Sequence, residues 1–419
     1  MKHKPITSAK IAVLTGLLSL GLLGCPVQPA PCVPDANASN CGVTGSFATT
    51  TTTQIVPKAT VDAFTATDMN VNSEPADKPF AAGQFVVSDA GDGLVRQISS
   101  VTTQSSMVGS RLIKKVYIQT TDASLEDVIS SGDAGIEYGD LDFNKATVVS
   151  AMPGVQTRAI NGTIPFNGIK IPLGTASSLT VGGSITQALK PKFDLTFSGG
   201  KLQHFQIGLS GSFSATLEGK LVSGEKLTNA SKELTIANYK FTRAFLVGVV
   251  PVVVVIEPKL ILGAGVGTNN ALQMTAKISP TVNLNFNIEF TRSATPQWKI
   301  SPPTGSFSAN PSFTVNTPDG GQVKTFAKLA LGMKFYGIAG PEMTVKPFTL
   351  AKLSASDLSA GLNTGITVDG KVVAGFKVLG QGLEIASDSL SSTDLATNYK
   401  CTSTSCSILV SNPVTGPLR

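Results

Sequence analysis

From about residue 57 onward, apolar and polar residues alternate with a period of two. In Thr281–Thr291 the set Val282, Leu284, Phe286, Ile288 and Phe290 alternates with Asn283, Asn285, Asn287 and Glu289. In Gln203–Leu217 the apolar set is Phe205, Ile207, Leu209, Phe213 and Leu217, with His204, Gln206, Ser210, Ser212, Ser214 and Thr216 between. Leu329, Leu331, Met333 and Phe335 repeat the rhythm. Successive side chains of a strand point to opposite faces, so this rhythm predicts antiparallel strands with one dry and one wet face. Ser198-Gly199-Gly200 and Asp319-Gly320-Gly321 are expected turns. Asp369-Gly370, between two valine-rich runs, is expected to close a hairpin.

Two departures from the rhythm predict other elements. Ser124, followed by Glu126 and Asp127, offers a helix start of one or two turns over Ala123–Ile129. A second short helix is expected within Leu383–Thr397. The apolar run Ala244–Ile256 has 13 residues and contains Gly248 and Pro251. It falls short of the roughly 20 residues of a spanning helix, so it is expected as two buried strands broken at Pro251. The predicted class is all-β: long antiparallel strands in a sandwich or curved sheet, with one or two short helices.

The first residues follow a different logic. Lys2, Lys4 and Lys10 precede an apolar stretch, Ile11 to Leu23, that ends at Gly24-Cys25. This is the pattern of a secretory signal. Leu22-Leu23-Gly24-Cys25 resembles the bacterial lipobox. The resemblance implies cleavage before Cys25, a diacylglycerol thioether on Cys25 and an acylated new amino terminus. Pro26 is not the aspartate that marks inner-membrane retention in some lipoproteins, so an outer-membrane anchor is expected. Residues 1–24 are therefore a signal peptide. Residues 25–56, rich in Pro, Thr and small polar residues, are expected as a disordered tether. A small β-rich domain over 57–160, a large antiparallel domain over 161–400 and a tail over 401–419 complete the expected organisation.

Export changes how the composition reads. The formal charge of +6 halves to +3 once the three lysines of the signal leave. That balance gives no reason to expect nucleic-acid binding, and Arg111, Lys114 and Lys115 read as a solvated strand edge. Cys32, Cys41, Cys401 and Cys406 are an even set in an exported chain, which suggests two disulfides. Three pairings are open, with the local pairs Cys32–Cys41 and Cys401–Cys406 preferred.

Two stretches resemble a module of large secreted and surface proteins of bacteria. One comprises Gly83–Asp89, Gly93–Val101, Val116–Thr120 and Ala123–Ile129. The other runs from Val249–Ile256 through Trp298, Phe335–Pro341 and Lys346-Pro347-Phe348 to Gly380. The resemblance implies an all-β surface architecture and carries no ligand.

Little chemistry is encoded. With His3 lost in the signal, His204 is the mature chain's one histidine, and it sits on the polar side of its strand. No catalytic residue, metal site or cofactor is assigned. Asp140-Leu-Asp142-Phe-Asn144 opens like a calcium loop, but Lys145 stands where glycine is needed. Leu141 and Phe143 instead suggest a strand with its acids outward. Gly132–Gly139 and Gly263-Ala-Gly-Val-Gly267 read as loops or barrel-like bends, and Gly337, Gly340 and Pro341 as a tight turn or bulge between paired strands. The expected role is non-enzymatic: a lipid-anchored envelope protein acting in structure, adhesion or partner binding. The alternative is a carrier holding an apolar ligand in a groove of a curved sheet.

Overall fold

The computed structural model describes residues 42–72, 79–108, 111–160, 162–269, 271–295, 297–315, 320–337, 340–354, 359–372, 388–400, 406–409 and 414–417. The chain is a β-sandwich, and the described residues are 76% strand and 3% helix. In chain order the first strands are β1 (Val43–Thr49), β2 (Thr53–Val56), β3 (Val61–Phe64), β4 (Asp68–Val71), β5 (Phe85–Ser88), β6 (Leu94–Val108) and β7 (Arg111–Asp122). Helix α1 (Leu125–Val128) leads into β8 (Ile129–Glu137), β9 (Thr147–Ala151), β10 (Thr163–Pro172), β11 (Ser177–Ser198), β12 (Lys201–Ser223), β13 (Leu227–Val247) and β14 (Val250–Thr268). Then come β15 (Leu272–Ile278), β16 (Pro280–Thr291), β17 (Trp298–Ala309), β18 (Ser312–Val315), β19 (Gly321–Phe335), β20 (Pro341–Leu353) and β21 (Ser359–Val372). The last are β22 (Asp388–Lys400), β23 (Cys406–Leu409) and β24 (Val414–Pro417).

Three sheets organise these strands. The first runs β1-β8-β11-β12 and then forks. Along one side of β12, residues 204–214 pair with β16 and residues 217–223 with β15. The second sheet runs β22-β21-β20-β19-β14-β13-β9, and the third, smaller sheet runs β2-β5-β6-β7-β4-β3. The core lies between the first two sheets. Phe335 of β19 meets Phe193 and Phe205 of the opposite sheet edge to face, with ring centroids 5.3 and 5.5 Å apart. Phe205, Ile207, Leu209, Phe213 and Leu217 are all buried, as the alternation predicts. The apolar faces therefore meet each other.

The start of β14 is buried on both faces from Val250 to Ile256. One face joins the core and the other lies under the small sheet, where a Cβ on Gly93 would collide with Val253 and Tyr336. Tyr336 donates its hydroxyl to the Pro251 carbonyl, and Lys240 Nζ reaches Asp92 Oδ2 at 2.5 Å across the same junction. A continuous apolar run is what two-sided cover requires. The break within Ala244–Ile256 is not at Pro251. It falls at Gly248-Val249, where Gly248 takes φ +65° and turns the chain between β13 and β14.

Several other expectations are corrected. The disordered tether does not extend to residue 56: β1 and β2 are paired strands. Phe47 is buried edge to face against Phe197, and Val56 is buried in the small sheet's own core, so apolar burial offsets the ordering cost. The unit expected over 57–160 is divided. β3–β7 stay in the small sheet, while β8 and β9 join the sandwich. The segment 401–419 is not merely a tail, since β23 pairs with β18 and β24 with β17. Asp369-Gly370 closes no hairpin; both residues continue β21, bonded on one side to β20 and on the other to β22. Two flanking ladders satisfy more backbone groups than one tight turn would. Leu383–Thr397 holds no helix among its described residues, which belong to β22. Gly132–Glu137 lies in β8 and Gly263–Gly267 in β14, so both glycine runs are strand instead of loop.

Candidate functional site

The short helix forms as expected. The Asp127 carboxylate accepts from both Ser124 N (2.8 Å) and Ser124 Oγ (2.7 Å), closing the first turn. Its neighbour Glu126 is buried, with its side chain 5% exposed. Glu126 accepts from Arg292, from Leu202 N at 2.9 Å and from Lys201 Nζ at 3.2 Å. Every partner is a donor, so this buried carboxylate is satisfied and ties α1 to the ends of β12 and β16. It is a structural clasp.

The other candidates resolve into ordinary roles. His204 lies on the outward face of β12, half-exposed, with Nδ1 3.6 Å from Glu289 Oε1. Asp142 accepts from Asn144 N and caps a 3-10 turn over Phe143–Lys145. Leu141 and Phe143 are buried by that turn and are not part of a strand, which corrects the expectation for that segment. Among the described residues no group of three His, Cys, Asp or Glu side chains is placed to hold a metal. Lys115 Nζ is 3.1 Å from Asp62 Oδ2, and that hydrogen bond raises the lysine's pKa. Cys25, Cys32, Cys41 and Cys401 lie outside the described residues; Cys406 opens β23, paired through its backbone with Val315.

Two hollows mark the outer faces. The first, of about 480 Å³, follows a crease in the first sheet. Gly211 of β12 and Gly305 of β17 both pair with Leu284 of β16, at φ +127° and +148°. Side chains are excluded there, and Ala188, Ser212, Asn283, Asn285 and Thr304 surround the gap. It is shallow and uncharged.

The second hollow, of about 670 Å³, opens on the outer face of the second sheet. Its floor is one level of the ladder: Gly267 pairs with Gln322, Gln322 with Lys352, and Lys352 with Gly361. Lys226, Asn229 and Asn269 stand around it, and among the described residues that line it none is a carboxylate. The turn before β13 sets this rim. The Glu225 carboxylate accepts from Ala176 N at 2.9 Å, Thr175 Oγ1 at 3.0 Å and Ser177 Oγ at 3.1 Å. The Glu225 carbonyl accepts from Thr268 Oγ1, and Thr268 Oγ1 accepts from Leu227 N. Lys226 is thus held between two anchored residues.

The bonds to Glu225, the Ala176 amide first, hold its carboxyl below the ordinary value of 4.5. A depressed carboxyl stabilises the fold above its unfolded pKa and loses that contribution as pH falls through the folded value. The expected result is a Glu225 side-chain titration, followed by NMR, with its midpoint below 4.5. In Glu225→Gln the acid limb of the stability curve should flatten in the same window. A midpoint at or above the ordinary value would contradict the geometry.

Sequence reasoning missed this hollow because its parts are distant along the chain. One signal was present: Gly263, Gly265 and Gly267 occupy alternate, same-face positions of β14. Comparison with protein families, with curated proteins and with solved structures gives no match.

Proposed function

We propose that the protein is a lipid-anchored component of the bacterial cell envelope with a non-enzymatic structural, adhesion or partner-binding role. The observation that carries this reading is the amino-terminal segment: a basic start, a short apolar core and Leu22-Leu23-Gly24-Cys25. Acylation at Cys25 would hold the chain at the membrane, since several acyl chains bind far more firmly than one. The outer membrane is the proposed site. The mature cysteines are proposed to form two disulfides, suited to an oxidising compartment. The β-sandwich supports a scaffold role. Its apolar faces are filled by rings from both sheets, which supports a binding surface on the outside over a carrier with an internal groove.

Metabolic labelling with radioactive palmitate tests the anchor. Label should enter the wild-type chain and be lost from Cys25→Ala, which should also leave the membrane fraction. Equal labelling of both chains would overturn the anchoring and, with it, the envelope assignment.

A further inference from the structure

On the outer face of the second sheet, lysines outnumber carboxylates along the stretch next to the hollow. Four successive levels of its ladder are defined by β14, β19, β20 and β21. The first holds Gly267, Gln322, Lys352 and Gly361; the second holds Gly265, Lys324, Leu350 and Asn363. The third holds Gly263, Phe326, Phe348 and Gly365. The fourth holds Ile261 and Lys328 on one pair of strands and Lys346 and Thr367 on the next. Lys226 adds a cation at the mouth of the hollow. On these levels the described carboxylates are Glu233 of β13, which pairs with Gly263 and binds Lys328 Nζ at 3.1 Å, and Asp394 of β22, which pairs with Gly365.

Levels two residues apart are separated by about 7 Å. The lysines therefore form a stripe about 20 Å long, running along the strands from the hollow upward. Lys324 Nζ lies 4.0 Å from the centre of the Phe348 ring, and Lys346 Nζ 5.2 Å from that of Phe326. The ring faces are thus covered by cations and offer no bare stacking platform. At the mouth, the side chains of Lys226, Asn229, Asn269, Gln322 and Lys352 make no hydrogen bond to a described residue.

We infer that this groove and its lysine stripe bind an extended acidic polysaccharide, a chain of uronate or sulfated sugars. Charge complementarity selects the anion, amide side chains suit sugar hydroxyls, and the linear spacing suits a polymer aligned with the strands. The inference rests on the proposed binding role at the envelope and names its ligand class. The floor is open beside the second and first levels. Unlike Gly263, whose missing Cβ makes room for the Phe326 ring, Gly265 and Gly267 meet only ordinary contacts. A Cβ on Gly265 would lie 3.6 Å from Lys324 Cβ, and one on Gly267 3.4 Å from Gln322 Cγ. Side chains there fill the groove without straining the fold.

The test is calorimetric titration of the full chain with a hexamer of galacturonate. A neutral glucan of equal length, a thymidine oligonucleotide and phosphatidylglycerol vesicles serve as comparisons. The uronate should bind and the neutral glucan should not. Lys226→Gln/Lys352→Gln should weaken uronate binding about tenfold, the effect of two exposed ionic contacts. Gly265→Thr/Gly267→Thr should weaken it at least as much while leaving Tm unchanged. Three results overturn the inference: no uronate binding, uronate binding untouched by the lysine pair, or tighter lysine-dependent binding of the oligonucleotide or vesicles. Loss of palmitate labelling bears on the anchor alone, so the two readings fail separately.

Discussion

Phe335→Ala lowers the stability of the sandwich by about 3–5 kcal/mol, the range for truncating a fully buried ring. Phe335 is 1% exposed and is the point where the two large sheets touch through rings. Its partners Phe193 and Phe205 sit on adjacent strands, β11 and β12, and each presents an edge or a face to it. Truncation removes both ring contacts and opens a void lined by stiff strands that cannot collapse. Urea unfolding should show a lower midpoint with an unchanged slope, the sign of lost stability without an altered fold. Phe335→Leu should recover part of the loss. A change under about 1 kcal/mol for the alanine variant would mean that the sheets do not pack through this residue.

Gly211→Ala costs about 3 kcal/mol, although it adds one methyl group. Gly211 takes φ +127°, and a Cβ there would run into the Ala188 carbonyl on β11. The neighbouring atom is main chain within a paired ladder, so it cannot rotate away. Gly265→Ala is the matched control: its φ is not positive and its nearest neighbour is a side-chain carbon at 3.6 Å. That control should be neutral or slightly stabilising, because alanine loses less backbone entropy than glycine on folding. Thermal unfolding of both variants separates them. Equal losses would contradict the crease as a backbone requirement.

The alternating pattern made most of the strands legible, because a two-sided sheet imposes its period on every residue it contains. β12, β16 and β19 lie where the alternation places them, and the capped turn at Ser124 forms. Errors collected where a local signal has two structural solutions. Asp369-Gly370 is a strong turn signal in isolation, yet with strands on both sides the same residues continue β21. The glycines of 263–267 read as a bend because glycine weakens a lone strand; in place, one makes room for Phe326 and two leave an open floor. Threonine-rich residues 49–53 carry too few apolar groups to signal order, and only burial of Phe47 and Val56 against distant partners orders their flanks.

The sequence by itself determined the class of fold and the wet and dry face of each long strand. These are local properties: they depend on the order of neighbouring residues and survive without knowing what packs on what. Tertiary structure alone decided which strands pair, where the chain turns, and that Lys226, Gln322 and Lys352 share one groove. Those residues are 96 to 126 positions apart for Lys226 against the other two. The registers of β13, β14, β19 and β20 bring them to one groove, because hydrogen-bonded pairing converts distance along the chain into adjacency across a sheet.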